Sequence, residues 1–240
     1  MKKTHILFIV IIIAALILLV VNGNKDVNPA DVLTNDQQPE VVDQDLNLNL
    51  IEEVEEEAVE PVTQDTVLED GSYTISSEQS LVAWLGKKKL VQSTHTGTFP
   101  VSAGSLEVVE GKLDSGSLTM DIENLQVTDS SGDSLAGHLK NEDFFNVSEH
   151  PTAQFTFDSI TMGDVVTLNG QLTMKGVTKP VAVPVTLEAT EGNLLVSGMM
   201  EIDRTQWDIT FGSDSFFQGL GDNVIDDMVQ IDFVIDAQKA

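Results

Sequence analysis

The chain has 240 residues, 41% of them apolar, with 39 acidic against 12 basic side chains and a formal charge of −27. A surplus of that size excludes a nucleic-acid partner, because phosphate binding needs clustered Lys and Arg to displace counterions. There is no cysteine, so disulfides, thiolate metal sites and cysteine nucleophiles are excluded as well.

Lys2 and Lys3 precede an unbroken apolar run of sixteen residues from Ile6 to Val21, about 24 Å of helix at the usual rise. This lies between a signal-peptide core and a full membrane span. Val21-Asn22-Gly23 is a mediocre cleavage site, so residues 1–23 read as a signal anchor in preference to a cleaved signal peptide. Positive charge on the leading side puts the rest of the chain outside the cytoplasm, in the periplasm or on the extracellular side, with the membrane as a partner through this helix.

Residues 24–70 carry fifteen Asp plus Glu against one Lys, three prolines and no aromatic residue, the composition of a disordered acidic linker. Its run EEVEEEAVE, residues 52–60, lacks the Gly-centred loop and ordered ligand spacing of a calcium site, and reads as solvated spacer.

From 71 to 240 short alternating strands dominate. SLVAWLG, HTGTFPVSAGSLEVVEGKL and GSLTMDIENLQV account for three or four of them. LNGQLTMKG alternates through Leu168, Leu172 and Met174, with Asn169-Gly170 as a turn or bulge. VAVPVTLEA puts Val181, Val183, Val185 and Leu187 on one face, and NLLVSGMMEIDRTQW does the same with Leu194, Val196, Met200 and Ile202, then Arg204. VQIDFVIDA closes the chain with Val229, Ile231, Phe233 and Ile235 facing one way. About eight antiparallel strands in this length make a barrel or sandwich. SLAGHLKNEDFF, residues 134–145, interrupts the pattern as a helix capped by Asp133 or Ser134, lying across one side or mouth of the barrel.

Chemistry is poorly supported. HExxH, GxSxG and SxxK patterns are missing from the sequence, and His138 with Glu142 at i, i+4 is a helix pair before it is half of a metal site. Nine of the ten phenylalanines fall in the folded part, where they either fill the core or line a channel, since an eight-stranded barrel can be filled or can enclose one slender ligand.

Three separated motifs occur in order: HLKNEDFFNVSEHPTAQFTF, then LNGQLTMKGVTKPVAVPV, then EIDRTQWDITFGSDSFFQGLGDNVIDDMVQIDFVI. Together they closely resemble the YceI-like, polyisoprenoid-binding family, from about Gly71 to the C-terminus. The resemblance implies an all-β, lipocalin-like extended antiparallel barrel with one or two short helices, whose apolar channel holds one long isoprenoid lipid of quinone or polyprenyl type. It implies an extracytoplasmic carrier and no enzyme, with no cofactor or metal beyond the bound lipid; paired subunits in the family leave a homodimer open. A cleaved signal peptide is common there, so an anchor would be a departure.

On this reading Phe144, Phe155, Phe157, Leu172, Met174, Ile202, Trp207 and Phe211 line the channel. Arg204 either meets a ligand head group or pairs with Asp203, Asp208 or Asp214 to lock the barrel end. A chain of about forty carbons at roughly 0.3 kcal/mol per heavy atom would gain about 12 kcal/mol, near-nanomolar affinity. The competing reading is an envelope interaction or structural protein with a side-chain-filled barrel.

Overall fold

The computed structural model describes residues 68–163, 165–190 and 192–240. The apolar run and most of the acidic linker lie outside the described residues; among those described, no helix is long and apolar enough to cross a membrane. Leu68 to Asp70, at the end of the segment read as linker, already pack on the barrel: Leu68 is buried and its N–H donates to the Gly111 carbonyl, and Glu69 pairs with Lys239 at 2.8 Å.

Eleven strands run in chain order as β1 (Gly71–Ile75), β2 (Leu81–Lys87), β3 (Thr94–Phe99), β4 (Val101–Val109), β5 (Lys112–Asp121), β6 (Gln126–Val127), β7 (Thr152–Thr161), β8 (Val166–Met174), β9 (Val177–Thr190), β10 (Asn193–Asp203) and β11 (Met228–Lys239). Eight of them, β1-β4-β5-β7-β8-β9-β10-β11, close into an antiparallel ring through the β1–β11 pairing. The remaining three extend the wall at one end. β2 takes Gln230 to Val234 of β11 while β1 takes Ala237 to Lys239, and β3 and β6 follow β2.

Side-chain alternation is what closes this sheet around a core. In β9, Val181, Val183, Val185 and Leu187 turn inward while Ala182, Pro184, Thr186 and Glu188 are exposed. β9 pairs with β10 only over Thr186 to Thr190. Pro180 and Pro184, which cannot donate to a ladder, therefore stand in a stretch with no partner on the β10 side, where a strand proline is tolerated.

Asn169-Gly170 is not a turn but lies in mid-β8. The irregularity is in the facing strand, where the β7 register skips Asp158 between Phe157 and Ser159. Gly170 and Gly116, both paired with Phe157, make room for the aromatic rings of β7: a Cβ on Gly170 would stand 2.8 Å from the Phe155 ring, and one on Gly116 would stand 2.6 Å from the Phe157 ring. The β8–β9 hairpin turns instead at Lys175-Gly176, both at positive φ (48° and 74°), as a two-residue hairpin turn of the right twist requires.

The helix, α1 (Gly132–Lys140), is shorter and earlier than residues 134–145. Neither Asp133 nor Ser134 caps it. Asp129 does the anchoring: its carboxylate accepts from the Ser131 N–H (2.7 Å) and from the Thr96 N–H of β3 (2.9 Å). Burial alone would raise the Asp129 pKa, but those N–H groups, the Ser131 hydroxyl and His95 outweigh it and hold it below the usual carboxylate value. Asn141 adopts an extended conformation and ends the helix, so Glu142 leaves it and the His138–Glu142 helix pair does not form.

Asp236 is a buried carboxylate near the end of β11, and burial raises its pKa against the weaker opposing effect of the Gln238 amide. A raised folded-state pKa means that ionisation costs stability as pH climbs from the unfolded value, about 3.9, through the folded one, and the cost persists at neutral pH. Asp236→Asn is therefore expected to raise the melting temperature at pH 7 and to give no gain near pH 3. Paired thermal melts at the two pH values check this; an equal gain at both would show that ionisation is not the cause.

Candidate functional site: a two-chamber apolar lumen

The inner faces of the strands do not meet in the middle. An inner chamber of about 90 Å³ runs through the barrel, with Phe155, Phe157 and Leu172 in its wall, and Ser117 is the one hydroxyl-bearing residue among otherwise apolar lining side chains. An outer chamber of about 120 Å³ lies beneath α1, with Leu135 and Leu139 of the helix and Phe144 and Phe145 behind it forming one side. Phe99, Met174, Ile202 and Ile231 border both, so the two chambers adjoin with these four side chains between them. Close-packed interiors have few voids larger than one water molecule, and an apolar void of this kind stays dry.

Local sequence explains the walls. Phe155 and Phe157 sit two apart on β7 and stack at 5.9 Å between centroids. Ile231, Phe233 and Ile235, alternate residues of β11, all line the inner chamber. Phe144 is buried behind α1, and its ring meets His138 edge-on at 5.0 Å.

Of the residues expected at the channel, Phe155, Phe157 and Leu172 border the inner chamber, Met174 and Ile202 border both, and Phe144 and Arg204 border the outer one. Trp207 and Phe211 border neither. Trp207 is buried in the 3-10 turn Arg204–Trp207, with its indole N–H donating to the Leu172 carbonyl at 3.0 Å. Phe211 is 39% exposed and rests on Phe144 and His138 at the rim. Sequence reasoning passed over Phe99, Ile231 and Trp84; Ile231 is on the face already recognised in β11, and Phe99 ends the alternation of HTGTF.

Arg204 points inward and is 4% exposed, and four of its five N–H donors go to the protein. Nε donates to the Asp226 carbonyl (3.0 Å), Nη1 to the Ile209 carbonyl (2.6 Å), and Nη2 to the Ile225 carbonyl (3.2 Å) and the Asp227 carboxylate (3.4 Å). The partner is thus Asp227 and none of the three carboxylates expected. Asp203 accepts from Thr205, Asp208 forms the left-handed cap of the turn, and Asp214 binds Lys89. Burial lowers the Arg204 pKa, opposed by Asp227, Asp203 and Asp226.

Lys175, in the turn between β8 and β9, is also engaged. Lys175 donates to the carbonyls of Glu142 and Asp208, and burial lowers its pKa against the pull of Asp208 and Asp143. Trp84 is the exception: its indole nitrogen is the one buried side-chain polar atom without a hydrogen-bond partner among the described residues, and Trp84 borders the outer chamber. Among those residues no cluster of three or more His, Asp or Glu side chains could hold a metal ion.

Comparison with known proteins places this geometry. The barrel is similar to the crystal structure of Burkholderia cenocepacia BcnA, with a TM-score of 0.57 at 23% identity over 68% of this chain and 99% of that one. It is also similar to a polyisoprenoid binding domain from Saccharophagus degradans, with a TM-score of 0.56 at 16% identity over 70% and 98% of the two chains. At those identities the likeness is one of fold. In sequence, 53 residues are 47% identical to Protein YceI of Escherichia coli O157:H7, covering 22% of this chain and 26% of that protein. A further 33% identity runs over 89 residues of a UPF0312 protein from Azotobacter vinelandii, 36% and 46% of the two chains, so the aligned stretches span less than half of these relatives' own lengths. Residues 73–237 match the YceI-like domain as a whole, and the chain belongs to the YceI-like family.

Proposed function

We propose that the barrel is a binding and carrier module for one long isoprenoid lipid, held outside the cytoplasm and close to its home membrane by the N-terminal segment. The observation that carries this reading is the pair of adjoining apolar chambers inside the barrel, with Phe99, Met174, Ile202 and Ile231 between them. A branched, flexible hydrocarbon fits two narrow chambers in line better than a compact ligand does. The fold shared with a polyisoprenoid binding domain supports the same class of ligand.

The two chambers differ in a way that bears on which isoprenoid is held. Both present apolar surface to the space they enclose, but the residues behind that surface differ: Lys87, Lys88, His95, Arg204 and Trp84 border the outer chamber, whereas Ser117 is the one polar residue bordering the inner one. A tail in the inner chamber, with the oxygen-bearing end of a quinone or a polyprenyl phosphate directed past the outer chamber toward its charged rim, suits this arrangement. The proposed role is carriage or sequestration, with no bond made or broken.

Native mass spectrometry of the full chain, purified in detergent and then extracted with organic solvent, is expected to show one isoprenoid per barrel. A stable protein that stays empty after incubation with both a quinone and a polyprenyl phosphate would overturn the reading.

A further inference from the structure

Among the described residues nine large apolar side chains are exposed, and all three phenylalanines in that set, Phe211, Phe216 and Phe217, belong to the loop between the 3-10 turn and β11. This loop is fastened to the rim of the outer chamber. Lys89 Nζ reaches Asp214 at 2.9 Å, the Ser215 hydroxyl donates to the Asp227 carboxylate at 2.7 Å, and Phe211 lies 5.3 Å from Phe144 in the chamber wall. Leu90, beside Lys89, is 62% exposed, and Phe216 is 58% exposed. Packing inside the protein explains none of these exposures, and an apolar patch beside a cavity mouth marks an interaction surface.

We propose that this rim, formed by Leu90, Phe211, Phe216 and Phe217, is a bilayer-docking surface through which a lipid passes between membrane and lumen. The proposal rests on the reading of the lumen as an isoprenoid site and adds the partner that loads it. Its occupant is a phospholipid bilayer for three reasons. The penalty for an isoprenoid crossing water grows with every methylene exposed, so the mouth of the lumen must meet the bilayer directly, and these side chains stand at that mouth.

Charge gives the second reason. A chain with a formal charge of −27 is repelled by an anionic surface, yet at this rim three acids are paired, Asp214 with Lys89, Asp226 with Lys87 and Asp227 with Arg204, and Lys88 stands against Asp222 in the local count of charge. This pairing reduces the repulsion at the rim without reversing it, so docking is carried by aromatic insertion and not by attraction to lipid phosphates. Third, the linker joins the barrel at the opposite end, at Leu68, which is bonded to the β4–β5 turn. The rim therefore lies at the end of the barrel away from the point where the N-terminal segment enters, and is left free to meet a bilayer.

The absence of cysteine makes the test direct. Full-length Phe216→Cys, and as a control Val109→Cys at the exposed opposite end, would each carry an environment-sensitive fluorophore in phosphatidylcholine vesicles containing spin-labelled phosphatidylcholine. The expected result is quenching severalfold stronger at 216 than at 109, unchanged when salt is raised. Equal quenching, or stronger quenching at 109, would overturn the docking surface. So would a concentration-dependent burial of the 216 probe in lipid-free detergent, which would assign the patch to a second copy of the chain. Uptake of a tetraprenyl quinone by the same samples separates the two readings: uptake without quenching at 216 removes the docking surface alone, while quenching without uptake supports docking and removes the lumen assignment.

Discussion

Replacing Arg204 by Met is expected to cost about 3–5 kcal/mol of folding stability, as removal of one member of a buried charged network does. The guanidinium ties together residues 209, 225, 226 and 227, three through their carbonyls and one through a carboxylate. Met would cover similar hydrocarbon but would leave three acceptors and the Asp227 charge without this partner at the barrel mouth. Urea titration of the full chain should show a lower midpoint with an unchanged slope. Arg204→Lys should recover only part of the loss, because a single ammonium cannot span acceptors that a planar fork reaches together.

The same variant discriminates between the two roles the sequence allows for Arg204. Because four donor contacts already go to the protein, affinity for an isoprenoid quinone or phosphate should be unchanged in the fraction that remains folded. Normal stability with a lost affinity for the oxygen-bearing ligand would instead make Arg204 the head-group site.

The inward direction of Arg204 was legible because it follows Leu194, Val196, Met200 and Ile202 on one strand face, and a period of two carries across the strand. Its partner was not. Asp227 is 23 residues away, and nothing in the local pattern says how the intervening loop returns. The same distinction runs through the rest of the fold. The faces of β9 follow from alternation and hold in the barrel, since that strand is wet on one side and buried on the other; in β11 the expected face also turns inward, but Val234 and Asp236 on the other face are covered as well.

Features that depend on two distant segments escaped. β1 and β2 share one edge of β11, which no single strand reveals, and α1 begins early because Asp129 is held by Thr96 of β3, a tertiary contact stronger than the local capping preference of Asp133 or Ser134. Trp207 and Phe211 were expected at the channel as aromatic residues of the EIDRTQWDITF motif, with no strand face to place them. The chain leaves the β10 face in a 3-10 turn, after which the period of two has no meaning; Trp207 turns back to β8 and Phe211 reaches the surface rim.

Whether the lumen is truly a ligand channel is decided most sharply by filling it. Ala153 is a small, buried residue of the inner chamber, and Ala153→Phe would place a ring across the path of a bound tail. Excluding about ten carbons at roughly 0.3 kcal/mol each removes about 3 kcal/mol, so affinity for a long isoprenoid should fall on the order of 100-fold. Stability should hold or rise, because the ring gains contacts in space that is otherwise empty. A barrel already filled by its own side chains makes the opposite prediction, since overpacking a solid core costs about 1–3 kcal/mol and touches no ligand. Ligand titration and urea unfolding of the same full-length variant therefore separate the cases. Lost affinity with intact stability identifies a channel, and lost stability with intact affinity identifies a packed core whose ligand, if any, binds elsewhere.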